Sequence, residues 1–366
     1  MINRKFKIII NIFAIMNDLI IFIDFDYFYA QVEEIFNPDL KGKPVVVCVY
    51  SGRTETSGAV ATSNYIAREI GIKSGMPLPN ALKMGKDKAV FLPIRRDFYK
   101  DFSDKVMEII SSFSDVMEIA SIDEAYIDVS DKCHDISEAV SIARELKQKI
   151  FKETSLRVSI GVSINKVFAK ILGDMAKPDG IKWIGQDDAD SFLQSLKIKQ
   201  VPGIGNVLSR KLNEVGVDFL RDIKNIKKED LLNILGNSKY KYLIDIINNN
   251  YNAPVTGRVK KNFGKYVTLN KDTRDINSIK PYLTKAVDLA FDKVPGIPSE
   301  ISVIAITEDI SIISRSYTGM RIDKKNAMQI STNLLNKILE DDPRNIRRIG
   351  IRLGKLTKNE SLDDFF

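Results

Sequence analysis

Residues Ile20-Ile21-Phe22-Ile23 form an unbroken apolar run that ends on Asp24-Phe25-Asp26, and no other stretch restricts the fold as much. A short, isoleucine-rich run without alternation reads as a strand covered on both faces, which requires a sheet with other elements packed on each side. A carboxylate at the end of such a strand sits at the mouth of the sheet. Asp24 and Asp26 are two apart, so they share a face if the strand continues through them.

A second acidic point lies further along. Ser121-Ile122-Asp123-Glu124-Ala125-Tyr126 stands between Met117-Glu118-Ile119-Ala120 and Ile127-Asp128-Val129, so apolar residues surround two adjacent carboxylates. Neighbouring side chains of a regular strand point to opposite faces, so Asp123 and Glu124 serve one site only if the backbone turns there, between two short strands. Paired carboxylates on a rigid edge offer a divalent cation hard oxygen ligands. Taken alone, the pair reads more simply as the solvated tip of a hairpin. Joined by Asp24, three carboxylates suffice for two Mg²⁺ ions and a triphosphate.

Composition removes other chemistries. Cys48 and Cys133 are the only cysteines and His134 the only histidine. That excludes a disulfide framework and a zinc site of the usual kind, and argues against histidine as general base. Carboxylates, Lys, Arg, Tyr and metals are what is left. The 366 residues are enough for several domains, and the net charge of +7 permits a polyanionic partner without requiring one. The cysteine usage predicts an intracellular, cytoplasmic chain. Phe6 to Ile15 is apolar but interrupted by Lys7 and Asn11, too short to span a bilayer, so no membrane association is expected. Residues 1–15 read as an N-terminal extension ahead of Met16.

Taken in order, the chain predicts a helix over 28–36 ended by Asn37-Pro38, a strand over 45–50, a turn over 51–58, and a helix starting near Thr62 or Ser63. On that helix Tyr65 and Arg68 are three apart and Thr62 is one turn earlier, so a hydroxyl, a phenol and a guanidinium share a face. The set suits a triphosphate, although a polar stripe on a surface helix is the plainer reading. Helices over 97–113 and 137–152, a strand over 156–162 and a helix over 165–175 follow. Pro178 stops the last helix, Gly180 makes the turn, and Lys177 is left at the helix end, where a lysine more often only complements the dipole. One early strand with the others late describes a single sheet carrying residues 28–94 as an inserted lobe.

Val201-Pro202-Gly203-Ile204-Gly205-Asn206 lies between helical patterns and resembles a helix-hairpin-helix module, whose small residues let backbone N–H groups approach a DNA phosphate. Residues 251–261 read as an exposed linker. Beyond them the pattern is strand (263–269), helix (277–293), strand (300–308), strand (310–317), helix (323–340) and strand (345–356), a complete βαββαβ domain. In its last strand Ile349, Ile351 and Leu353 alternate with Arg348, Gly350, Arg352 and Gly354, while Arg344, Arg347, Lys355 and Lys358 add charge. A basic sheet face is a nucleic-acid footprint; a strand kept soluble by arginine is the alternative. At the end of the chain, Leu362, Phe365 and Phe366 are three and four apart, so one helical turn would present them together to a partner's groove.

Four segments together, Asp24–Tyr29, Ala59–Arg68, Ser121–Tyr126 and Ala176-Lys177-Pro178, resemble the Y-family DNA polymerases, and among these the archaeal DNA polymerase IV type. The resemblance implies an α+β, multidomain right hand: a palm of 16–27 and 95–184, fingers of 28–94, a thumb of 185–250 with the hairpin, a linker of 251–261, a C-terminal βαββαβ little finger of 262–358, and a clamp-binding tail of 359–366. It implies a template-directed polymerase that adds deoxynucleotides to a primer 3′-OH by two-metal-ion catalysis, with low fidelity and bypass of damaged bases. Asp24, Asp123 and Glu124 would then hold two Mg²⁺ with the Phe25 carbonyl; Asp26 need not be a ligand. Tyr27, Phe28, Tyr29, Thr62, Tyr65, Arg68 and Lys177 would bind the nucleotide, with Tyr29 as the gate against a ribose 2′-OH. Gly58, Ala59 and Ala61 would leave a small-residue roof. Gly203, Gly205, Arg348 and Arg352 would touch primer–template DNA. Leu362, Phe365 and Phe366 would dock on a sliding clamp, though Asn359 stands where that box usually has Gln. A monomer is expected, and residues 1–15 have no counterpart in the pattern.

Two readings of other classes stay open on the sequence. A nucleotidyl cyclase shares the paired-carboxylate logic but has no use for the hairpin or the basic sheet. A non-catalytic DNA-binding scaffold needs the basic surfaces but not the carboxylates.

Overall fold

The first strand, β1 (Ile20–Phe25), is buried along its whole length, as its apolar run requires. The structure, a computed structural model, describes residues 18–257 and 260–357. The N-terminal extension and the clamp-binding tail expected from the sequence lie outside the described residues. The strands β2 (Val45–Tyr50), β3 (Gly58–Ser63) and β4 (Val90–Pro93) follow and pair in the order β3-β2-β4. Next come β5 (Val116–Ile119), β6 (Glu124–Asp128), β7 (Val158–Ser163) and β8 (Ile181–Trp183), which join β1 in the order β5-β6-β1-β7-β8. One early strand is therefore completed by four late ones, as predicted, and the segment between has a sheet of its own.

Alternation along β1 explains why both faces are covered. Ile21, Ile23 and Phe25 enter a core with Val106 and Ile110 of the helix Arg96–Ser111 and Ala143 and Leu146 of the helix Ile136–Thr154. Ile20 and Phe22 face the other way, against Tyr126, Ala169 and Val255. The helix Lys166–Ala176 covers that second face and is capped by Asn165, whose side chain accepts the Phe168 N–H at 2.9 Å. It approaches β7 so closely that Gly161 and Gly173 leave no room for a side chain between them.

Described residues 18–47, 61–74 and 85–257 form one compact unit, and residues 48–60, 75–84 and 260–357 form a second. In the second, β9 (Asn262–Thr273), β10 (Ile297–Thr307), β11 (Ile312–Thr318) and β12 (Ile346–Thr357) form an antiparallel sheet in the order β11-β10-β12-β9. With the helices Ile276–Phe291 and Lys324–Asp341 this is the βαββαβ order read from the sequence. Ile349, Ile351 and Leu353 are fully buried against those helices.

One sequence expectation needs correction. Thr62 is not on a helix: it lies in β3, and the helix Tyr65–Glu69 starts only after Asn64, whose side chain accepts the Ala67 N–H at 2.9 Å. Residues 251–257 are irregular and mostly exposed, with two ties: Val255 is buried in the Phe22–Tyr126 cluster and the Thr256 N–H reaches the Glu118 carboxylate at 3.3 Å. Before the hairpin at 201–206 stand the helix Ala189–Ser195 and the 3₁₀ turn Ile198–Gln200, with the helix Asn206–Asn213 after it, so helical elements flank it on both sides as expected.

Both thiols are shielded. Cys48 lies fully buried in β2, where burial pushes its thiol up to about 11, and Cys133 is also buried. Iodoacetamide at pH 8 is expected to label neither cysteine in the native protein and both after unfolding, a difference read by intact mass. Labelling of Cys48 before unfolding would contradict the packing of β2. Among the described residues no helix is long and apolar enough to cross a membrane.

Candidate active site

Asp24 follows Ile20 and Phe22 on one face of β1, and its partner across β6 is Glu124. The Phe25 N–H donates to the Asp123 carbonyl at 2.9 Å, which makes Asp24–Glu124 the neighbouring non-hydrogen-bonded pair, the kind with the closer side chains. The backbone turns between Ile119 and Glu124, as the paired acids required, and the Ser121 hydroxyl bonds the Asp123 carboxylate. Two like charges opposite each other repel. What offsets them comes from the helix Lys166–Ala176 and the residue after it.

That helix lays a cationic stripe over the face. Lys166 pairs with the buried Glu118 and lies 5.0 Å from the Tyr126 ring centroid. Lys170 lies 4.5 Å from the Phe22 ring centroid and 2.6 Å from Glu124, and Lys177 lies 2.7 Å from Asp24 and 2.9 Å from Asp174. Burial pushes the Asp24 carboxyl up to about 7; Lys177 opposes this, and Glu124 and Asp123 add to it. Lys177 itself is held above the ordinary lysine range, because Asp24 and Asp174 outweigh the effect of its burial.

The donor set suits a hard divalent cation: Asp24, Asp123 and Glu124 supply only oxygens, and two of the three carboxylates already hold an ammonium group. As the side chains stand, no three acidic, cysteine or histidine groups among the described residues close on one point. The convergence of three carboxylates expected from the sequence is therefore not met by these side chains, although Asp24 and Glu124 stand opposite each other.

The residues expected at a nucleotide surround this row. Tyr29 is half-buried and stacks on Tyr99, with centroids 4.6 Å apart and planes 23° apart; burial first and Asp123 second raise its phenol. Phe28 is buried beneath it. Tyr27 takes a left-handed backbone (φ 37°) and meets Tyr65 edge-on at 5.0 Å. Arg68 lies 5.0 Å from the Tyr65 ring and is steadied by its Nε–H bond to the Ser63 carbonyl at 2.9 Å. Asp26 lies just past the end of β1, where its N–H bonds the Arg157 carbonyl in register with the β1–β7 pairing; its carboxylate reaches Ser159, the residue opposite Asp24, so the two aspartates share a face as expected.

Two surfaces expected to touch DNA have features that suit it. In the hairpin, Gly203 has φ 85°, a conformation only glycine adopts without strain, and Gly205 opens the helix Asn206–Asn213. On β12, Arg348 lies 5.5 Å from the Tyr266 ring with its Nε buried and unbonded among the described residues, and Arg352 is exposed. Arg344 and Lys355 differ from expectation. Arg344 pairs with Asp309 at 2.7 Å and Asp342 at 2.6 Å, and Lys355 with Glu300 at 2.9 Å, so these acids neutralise them.

Sequence reasoning missed Lys170, Lys166 and Glu118. The signal was present: Lys166, Lys170 and Asp174 recur every four residues and must share a helix face. Which strand that face would meet was not in the spacing.

Residues 23–174 match the family described as IMS: impB/mucB/samB family. The DNA polymerase IV of Picrophilus torridus is 59% identical over 349 residues, spanning 95% of this chain and 100% of that protein. A solved Y-family DNA polymerase chimera, Dbh-Dpo4(243-245)-Dbh, matches with a TM-score of 0.89 at 45% identity, over 93% of this chain and 100% of its own. A structure described as an insertion ternary complex of Dbh DNA polymerase matches with a TM-score of 0.68 at 44% identity, over 93% of this chain and 100% of its own.

Proposed function

The chain belongs to the Y-family DNA polymerases of the archaeal DNA polymerase IV type, and on that footing we infer that it is a DNA-directed DNA polymerase working in translesion synthesis. One observation supports this most: Asp24 and Glu124 stand opposite each other on a buried sheet face beneath Lys177 and Lys170. Asp24, Asp123, Glu124 and the Phe25 carbonyl are the groups that would hold two Mg²⁺. Held there, such ions would supply positive charge to lower the pKa of the primer 3′-OH and to offset the charge on the phosphates.

The remaining roles fall to the protein's own groups. Lys177, Arg68, Tyr65 and Thr62 hold the triphosphate by charge and hydrogen bonds, and Tyr27 and Phe28 shape the floor beneath it. Backbone N–H groups at Gly203 and Gly205 and the guanidinium groups of Arg348 and Arg352 take DNA phosphates. In the terms of a right hand, 16–27 with 95–184 are the palm, 28–94 the fingers, 185–250 the thumb and 262–358 the little finger, with 359–366 for a sliding clamp. The small residues Gly58, Ala59 and Ala61 give the site room for damaged bases at the expense of fidelity. On this reading the enzyme acts as a monomer on primer–template DNA in the cytoplasm.

Primer extension with Mg²⁺ and deoxynucleotides, on an undamaged template and one with an abasic site, tests the reading. Extension through the lesion is the expected result. DNA binding without extension on either template would leave a scaffold, and cyclic nucleotide formed without DNA would leave a cyclase.

Tyr29 offers a second test. Its ring is backed by Tyr99 and cannot retreat from a ribose 2′-OH. Tyr29→Ala is expected to narrow discrimination against ribonucleotides by about 10- to 100-fold, comparing ATP with dATP in single-nucleotide insertion. An unchanged ratio would remove Tyr29 from the gate.

A further inference from the structure

Asp26 belongs to the same short acidic motif as Asp24 but is built into a different job. It is 1% exposed, and its carboxylate is filled by neutral donors from three separate elements. The Ser159 hydroxyl on β7 donates to Oδ1 at 2.8 Å, the Tyr65 phenol donates to the same oxygen at 3.2 Å, and the Asp179 N–H donates to Oδ2 at 2.7 Å. Its backbone is pinned too, since Gln31 Nε2 donates to the Asp26 carbonyl at 2.6 Å and to the Arg157 carbonyl at 3.0 Å. Lys147 and Arg157, the cations nearby, are engaged by the side chain of Asp179. A carboxylate accepts about four hydrogen bonds, so three such donors leave Asp26 little capacity for a metal.

Two of these three donors lead to the proposed triphosphate site. Tyr65 is one of its proposed ligands, and Asp179 lies two residues after another, Lys177. We propose that Asp26 is a positioning residue that sets the Tyr65 phenol and the Lys177–Asp179 loop at the right separation to receive the triphosphate. This rests on the polymerase reading above. Of its three bonds the one from Tyr65 is the longest, and it is the one a phosphate oxygen displaces when the phenol turns its single proton to the nucleotide.

The test compares Asp26→Ala with Asp26→Asn. Alanine removes every acceptor. Asparagine keeps the shape and one acceptor for the Asp179 N–H, while its NH₂ meets two hydroxyls that can rotate to accept. Three quantities are read: the equilibrium Kd of a deoxynucleotide for the protein on dideoxy-terminated primer–template, and KM and kcat in insertion. Asp26→Ala is expected to raise Kd and KM about tenfold with kcat within about threefold, and Asp26→Asn to stay within about threefold throughout. If Asp26→Ala does not fold, Asp26→Thr, which fills the space but falls short of Tyr65 and Asp179, bears the same expectation. A kcat loss of about a hundredfold with Kd unchanged would make Asp26 part of the metal centre and overturn the proposal, as would an unchanged Kd in a folded Asp26→Ala or Asp26→Thr protein. No extension by the unaltered chain overturns the polymerase reading and this one with it; extension with Kd unchanged overturns this one alone.

Discussion

Asp24→Asn is expected to cut nucleotide insertion by about a thousandfold or more while leaving the protein folded. The substitution keeps the shape of a side chain that is 6% exposed and removes only its charge. Lys177 retains Asp174 at 2.9 Å, so its ammonium group is not stranded. Burial already pushes the Asp24 carboxyl up to about 7, which means that its ionised form is held at a cost to folding; asparagine avoids that cost. Stability should therefore be unchanged or slightly higher. What is lost, on the proposed reading, is a ligand charge worth several kcal/mol of transition-state stabilisation, and each 1.36 kcal/mol is a factor of about ten in rate. Single-turnover insertion beside a thermal melt separates the two effects. Asp123→Ala combined with Glu124→Ala should show the same loss. Insertion by Asp24→Asn within about tenfold of the unaltered protein would remove Asp24 from the metal centre.

The second large effect is on folding. Gly161→Ala is expected to destabilise the first unit by about 3 kcal/mol or more, the upper end of the usual overpacking range, and to lower its melting temperature by at least about 5 °C. A Cβ at Gly161 would come within 3.0 Å of the Ala169 carbonyl oxygen and the Gly173 amide nitrogen. Both are backbone atoms of the helix over β7, so no rotamer change can make room. Gly173 is equally confined from the other side, by the Phe22 ring. The helix must move off the sheet, and it is the helix that brings Lys166 and Lys170 to the site. Gly185→Ala serves as the control, since its Cβ would meet only Ile136 at 3.5 Å. Equal melting temperatures for the two variants would contradict this packing.

Much of this arrangement was legible in the sequence because it depends on local pattern. The run before Asp24 could only be a strand covered on both faces, and Asp123-Glu124 required a turn between strands; both features appear. The alternation of Ile349, Ile351 and Leu353 with arginines placed the buried and outer faces of β12 correctly. The misreadings have a common cause. Thr62 fits a helical spacing with Tyr65 and Arg68, but Asn64 caps the helix from the wrong side for Thr62 to join it. Residues 251–257 have the composition and exposure of a loop, but the burial of Val255 against Phe22 and Tyr126 was not in the pattern. Arg344 and Lys355 counted as free charge until the folded chain brought Asp309, Asp342 and Glu300 beside them.

By itself, then, the sequence determined which elements exist, which faces are buried and which residue types can do chemistry here, because periodicity and turn chemistry act over a few residues. Only the tertiary structure decided how the two aspartates of one motif divide their roles. Asp24 stays on the strand and meets Glu124 and Lys177, while Asp26, two residues on, is drawn into a closed set of donors from Tyr65, Ser159 and Asp179. Those partners are distant in sequence, and a buried carboxylate is stable only where such donors converge.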